Sequence, residues 1–199
     1  MTNITFKPDT HEYFVEGKKK PSVTTILRDE GMYFNPNAGK HHAAMGTAIH
    51  KGCQVVAAGE WNPATTHPAI RPKLEAFRQF YTRHRLKALM WEVPIYHSNP
   101  EWCGTFDLIA ERDGEIWLID TKSGAPPQYA GVQTAMYELG ARHCGIIKPG
   151  TKVYRYCLSL LGDGKIYPGK PSDFAVGTAA ALLWHWRRQN NTLGVEIQS

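Results

Sequence analysis

Asp113-Gly114 sits between two apolar runs, Phe106 to Ala110 and Ile116 to Ile119, and it constrains the chain more than any other feature. Asp-Gly between β-branched and aromatic runs is the strongest short-range hairpin signal, a two-residue type I′ turn. Counting outward sets the pairing. Arg112 faces Glu115, Ile109 faces Leu118, and Asp107 faces Asp120. Directly opposed side chains in an antiparallel pair lie roughly 4.5–5.5 Å apart at Cβ. Two bare carboxylates so close repel unless a cation lies between them. Strand alternation puts Lys122 on the face of Asp120. One end of the hairpin therefore presents two acids and an amine, the equipment for a hard divalent metal and an activated water.

Length and charge bound the rest. The chain has 199 residues and a net charge of +5. That is one domain's worth of chain, and a polyanionic partner suits the charge. The N-terminus carries Asp9, Thr10 and His11 where a secretory leader needs an apolar stretch, so none is expected. No run reaches the roughly 18 apolar residues of a membrane span. A cytoplasmic protein is the expectation. Cys53, Cys103, Cys144 and Cys157 lack C-x-x-C spacing and read as reduced, buried thiols.

Periodicity supplies the remaining elements. Residues 5–15 read as a hairpin. Ser22 is a candidate N-cap for a short helix, and its N-terminus, with Thr24 and Thr25, equally suits a phosphate. Residues 36–58 read as a loop and a helix on which Gly46 and His50 lie one turn apart. After a linker at 62–68, residues 69–86 form an amphipathic helix. Its outer face carries Arg71, Lys73, Arg78, Arg83 and Arg85, a basic face that DNA could follow. A strand is expected over 90–97 and the central hairpin over 103–123. A helix over 128–143 follows, with Gln133 and Tyr137 on one face. A strand over 152–160, a short partner over 165–167 and a helix over 173–189 complete the order. Trp184 and Trp186 are expected on one face of that last helix, in the core. Alternation of strands and helices implies an α/β fold.

These residues, in this order, resemble the PD-(D/E)XK nuclease superfamily. The resemblance is to its RecB-like exonuclease branch, with the phage-type nucleases and the mitochondrial genome maintenance exonucleases. Gly46-Thr47-Ala48-Ile49-His50 looks like the first motif, Gly104-Thr105-Phe106-Asp107 like the G-x-x-D strand, and Asp120-Thr121-Lys122 like D/E-x-K. Gln133-Thr134-Ala135-Met136-Tyr137 matches the Q-x-x-x-Y helix. Each motif alone is weak; four in order are specific. Phe106 stands where the superfamily's name puts proline. The cysteines do not fit the iron–sulfur pattern of some relatives, and there is no P-loop.

The resemblance implies a restriction-endonuclease-like core, a mixed β-sheet flanked by helices with a helical N-terminal extension. It implies a single nuclease domain over 1–199, divided into an N-terminal hairpin and short helix (1–35), a core (36–160) and a C-terminal strand and helix (161–199). It implies a metal-dependent DNA exonuclease of phage recombination or replication that leaves 5′-phosphates. A DNA endonuclease of the same superfamily is the alternative, and a non-enzymatic DNA-binding module a third reading. Asp107, Asp120 and Lys122 would be catalytic. His50, Asp107, Asp120 and the Thr121 carbonyl would hold Mg2+, with Mn2+ able to substitute. Ser22, Thr24, Thr25, Gln133 and Tyr137 would contact DNA. Glu92, on the preceding strand, is within reach of the site but is left out of the set. Such enzymes pair with a single-strand annealing protein. No oligomeric interface is legible.

Overall fold

The computed structural model describes residues 3–32 and 40–190. The expected boundary at 35/36 and the start of the 36–58 loop fall outside them. A five-stranded mixed sheet carries the fold, ordered β4 (Lys87–Ser98), β5 (Glu101–Arg112), β6 (Glu115–Lys122), β7 (Val153–Ser159) and β8 (Lys165–Pro168). Only the β6–β7 pair is parallel. Its crossover is α4 (Ala130–His143), as a parallel connection requires. Pro94 is accommodated because β4 is an edge strand.

Helices cover both faces, as the sequence implies. On one face α1 (Val23–Asp29), α4 and α5 (Ser172–Gln189) pack Ile26, Leu27, Met136 and Ala181 against Ile95, Phe106, Ile109 and Leu118. On the other, α2 (Lys40–Ala57) and α3 (Arg71–Arg83) pack Ile49, Cys53, Leu74, Phe77 and Phe80 against Leu108, Ala110, Trp117 and Ile119. Residues with this much apolar side chain each gain roughly 1.5–3 kcal/mol on burial, which holds both layers to the sheet. Among the described residues, no helix is long and apolar enough to cross a membrane.

The N-terminal part is more β than expected. β1 (Ile4–Lys7) and β2 (Glu12–Val15) form the expected hairpin, and β3 (Lys18–Lys20) adds a third strand. Three lysines offer no apolar alternation, so β3 is invisible to pattern reading. Backbone pairing to β2 and the Lys20–Glu101 ion pair, at 2.6 Å, hold it. Tyr13 and Val15 then pack on Tyr96 and Cys103.

Three further expectations change. Trp184 is buried and donates its indole N–H to Asp29 Oδ2 at 2.9 Å, whereas Trp186 is exposed. Two residues apart on a helix means about 200° of rotation, so they cannot share a face. Cys53, Cys103 and Cys157 are buried free thiols, but Cys144 is exposed. The arginines of α3 and its C-terminal flank are largely engaged: Arg78 with Glu75 at 2.6 Å, Arg83 with Asp163 at 3.0 Å, and Arg85 with Asp113 at 3.2 Å. Asp113 marks the hairpin tip, six residues or about 20 Å along the strand from Asp107. The C-terminal half of that basic face lies away from the acids.

Candidate active site

The hairpin turn forms as the sequence implies. Asp113 and Gly114 both have positive φ, 49° and 83°. Arg112 pairs with Glu115 and Ile109 with Leu118. The ladder then stops at Leu108–Ile119. The next rung would be Asp107–Asp120. Instead, the Thr121 N–H donates to Asp107 Oδ2 at 2.6 Å, and the Thr121 hydroxyl donates to the same oxygen at 2.8 Å. A side chain has taken the place of a backbone acceptor, so β5 and β6 fork here. β6 stays paired to β7 through Lys122. Past the fork, β5 finds a new neighbour in the lead-in to α1, where the Cys103 N–H donates to Pro21 O at 2.8 Å.

The fork is where the candidate residues meet. Asp107 and Asp120 are 8% and 2% exposed, an unusual placement for carboxylates. His50 arrives from α2, with Nδ1 3.6 Å from Asp107 Oδ1. Lys122 Nζ lies 2.7 Å from Asp120 Oδ2. That distance makes a buried ion pair. Burial raises the Asp120 carboxyl; Lys122 pulls it back and Asp107 pushes it further up, leaving it at about 6. Burial pulls the Lys122 ammonium down, but Asp120 and Asp107 outweigh that and hold it above the usual lysine range. Lys122 is therefore a cation here, suited to donate and to stabilise negative charge.

α4 sets the aim of Lys122. Its Nζ donates to Gln133 Oε1 at 3.1 Å, and Gln133 Nε2 donates to the Tyr137 hydroxyl at 2.7 Å. Gln133 and Tyr137 are one turn apart on the buried face of α4 and are themselves buried. The Tyr137 ring lies over Gly104: a Cβ at that position would stand 2.6 Å from Tyr137 Cε1. The glycine of G-x-x-D thus makes room for the tyrosine of Q-x-x-x-Y.

Ser22, Thr24 and Thr25 lie apart from this cluster in their bonding. Ser22 Oγ accepts the Thr25 N–H at 3.0 Å and meets the hydroxyls of Thr24 and Thr25 at 3.0 and 2.9 Å. That is an N-cap by geometry. The residue that sequence reasoning undervalued is Glu92. Its Oε1 is 3.9 Å from His50 Nδ1, and its Oε2 accepts from Gln54 Nε2 at 2.9 Å. Its φ is 47°, within an edge strand. Its neighbours Trp91 and Val93 pair with Leu108 and Phe106, so the same count places Glu92 opposite Asp107. That arithmetic is available from sequence once the β4–β5 register is known.

Two buried carboxylates and an imidazole are the donor types that a divalent metal takes, and here His50 meets Asp107 while Asp120 is paired to Lys122. Among the described residues, no three His, Cys, Asp or Glu side chains form a closed ligand cluster; the His50–Asp107 approach is pairwise.

No protein-family model matches the chain, and no curated protein matches it. Among solved structures, it is similar to a protein from Eubacterium rectale named "putative exonuclease". Identity is 11%, the TM-score is 0.47, and the match covers 90% of this chain and 77% of that chain.

Proposed function

We propose that this chain is a metal-dependent DNA exonuclease, a single nuclease domain that hydrolyses phosphodiester bonds and leaves 5′-phosphates. The observation that carries the reading is the fork. Buried Asp107 lies beside His50, and buried Asp120 is paired to Lys122. Packing alone gives no reason to bury two acids side by side. The four motifs named from the sequence are brought to one place, which supports membership of the RecB-like branch.

Asp107, Asp120, His50 and the Thr121 carbonyl would hold Mg2+, with Mn2+ as a substitute. When bound, the ion would supply Lewis acidity and depress the pKa of a water. Lys122, held as a cation, would stabilise negative charge developing on the phosphate. Gln133 fixes the Lys122 ammonium, and Tyr137 fixes Gln133. Both are buried, so their service to DNA runs through Lys122 more than through direct contact. Ser22, Thr24 and Thr25 remain a candidate phosphate contact, with Ser22 already occupied as a cap. Phage recombination or replication in the host cytoplasm, beside a single-strand annealing protein, is the setting this reading suggests.

The test is digestion of end-labelled linear DNA and covalently closed circles with magnesium. An exonuclease degrades the linear DNA and spares the circles. Cutting of circles would make it an endonuclease. His50 gives a subtler result. His50→Ala should leave a folded enzyme that needs about tenfold more metal. The deficit should be larger for Mn2+ than for Mg2+, because imidazole suits manganese better. Equal activity across both metal titrations would remove His50 from the ligand set.

A further inference from the structure

We infer that the Thr121 hydroxyl is a positioning residue for Asp107: it anchors one carboxylate oxygen so that the other is presented as a metal ligand. This rests on the metal-dependent reading above and goes beyond the Thr121 carbonyl's expected part in it.

The two acids of the site are prepared differently. Asp107 Oδ2 accepts two hydrogen bonds from one residue, the Thr121 N–H at 2.6 Å and the Thr121 Oγ1–H at 2.8 Å. Asp107 Oδ1 faces His50 Nδ1 at 3.6 Å. Asp120 Oδ2 instead faces the Lys122 ammonium at 2.7 Å. A carboxylate rotates easily about its last torsion, because that well is broad. Two donors on one oxygen stop the rotation, and bonds to an ionised acceptor are roughly twice as strong as neutral ones. Asp107 then offers Oδ1 alone.

Thr121 is suited to this task. It is 3% exposed, and its β-branched side chain has a restricted χ1 in an extended strand. Any residue but proline at this position would supply the backbone N–H. Only the hydroxyl adds the second donor, so it is the separable part. The same two bonds also terminate the β5–β6 ladder, so the element that opens the fork also aims the acid within it.

A merely structural role predicts something different. A buried Thr is a plausible strand filler whose hydroxyl happens to find an acceptor. Val has nearly the same shape and no hydroxyl, and Ser keeps the hydroxyl and loses the methyl. The experiment titrates Mn2+ into the wild type, Thr121→Val and Thr121→Ser, reading free Mn2+ by electron paramagnetic resonance, with thermal melts in parallel. Positioning predicts about tenfold weaker Mn2+ binding by Thr121→Val, the lower end of what loss of a ligand-orienting partner costs. Thr121→Ser should stay within about twofold of wild type even if its melting temperature drops through the lost methyl. In hydrolysis assays, Thr121→Val should need more Mg2+ than Thr121→Ser to reach half of its own maximal rate.

Wild-type Mn2+ affinity in Thr121→Val overturns the inference. So does equal weakening in Val and Ser, which would assign the effect to packing of the methyl. If the wild type itself binds no Mn2+, the metal-dependent function fails, and this inference fails with it.

Discussion

Lys122→Ala should reduce phosphodiester cleavage by about a hundredfold to a thousandfold, the usual cost of removing one preorganised donor from a developing oxyanion. The loss should appear in kcat, because Lys122 acts on charge that develops only in the transition state. Stability should change in a pH-dependent way that a surface lysine would not show. Asp120 is 2% exposed, and Lys122 Nζ at 2.7 Å is its counter-charge. Stranding a fully buried charge costs about 3–5 kcal/mol. The cost here should be smaller, about 1–2 kcal/mol at neutral pH, because Asp120 escapes it by taking up a proton. Its carboxyl, ordinarily near 3.8, is raised to about 6 in the wild type, mainly by burial.

The sign follows from proton linkage. A carboxyl raised on folding binds more protons in the native state, so stability falls as pH rises. In the wild type without metal, Asp120's part of that fall lies between about 3.8 and about 6. Removing the Lys122 cation raises the carboxyl further, so the fall extends through neutral pH. Thermal melts in EDTA at pH 5.5 and pH 8 should show Lys122→Ala closer to wild type at the lower pH. A gap that is constant with pH would mean that Lys122 does not neutralise Asp120.

Gly104→Ala should destabilise the protein by about 1–3 kcal/mol, the range for overpacking a well-filled core. The new Cβ would stand 2.6 Å from Tyr137 Cε1 and 3.1 Å from Cδ1. Tyr137 has no easy retreat. It is buried in the α4 core, and its hydroxyl is held by Gln133. Moving the ring also disturbs Gln133 and, through it, Lys122, so activity at saturating magnesium should fall as well. The pairing is testable by a double-mutant cycle. Tyr137→Ala opens space over Gly104, so Gly104→Ala should cost much less in that background. Additive costs would show that the clash lies elsewhere.

The sequence made one part of the site readable because the hairpin has a local determinant. Asp113-Gly114 sets the turn, and counting carries the register to Leu108 and Ile119. Counting fails one step later, because the Asp107 side chain replaces a backbone acceptor for Thr121. Alternation rules describe backbone ladders and are silent on such an exchange. Glu92 escaped for a related reason: a positive φ within a strand re-aims its side chain, and residue type does not announce it. The arginines of the α3 region looked like a free basic face because Asp113 and Asp163, far along the chain, are their partners. β3 was hidden because its three lysines carry no periodic signal. The motif residues were named from sequence; the fold joins His50 to Asp107, links Asp120, Lys122, Gln133 and Tyr137 in a run of contacts, and ties Asp107 to Thr121 between Asp120 and Lys122.

The most direct test of the central claim is release of label from end-labelled linear DNA by the wild type and by Asp120→Asn, with Mg2+ and with EDTA. A nuclease site at the fork predicts release by the wild type with Mg2+, none with EDTA, and a loss of at least about a hundredfold in Asp120→Asn. No release with Mg2+ or Mn2+, or release that survives Asp120→Asn, would contradict it.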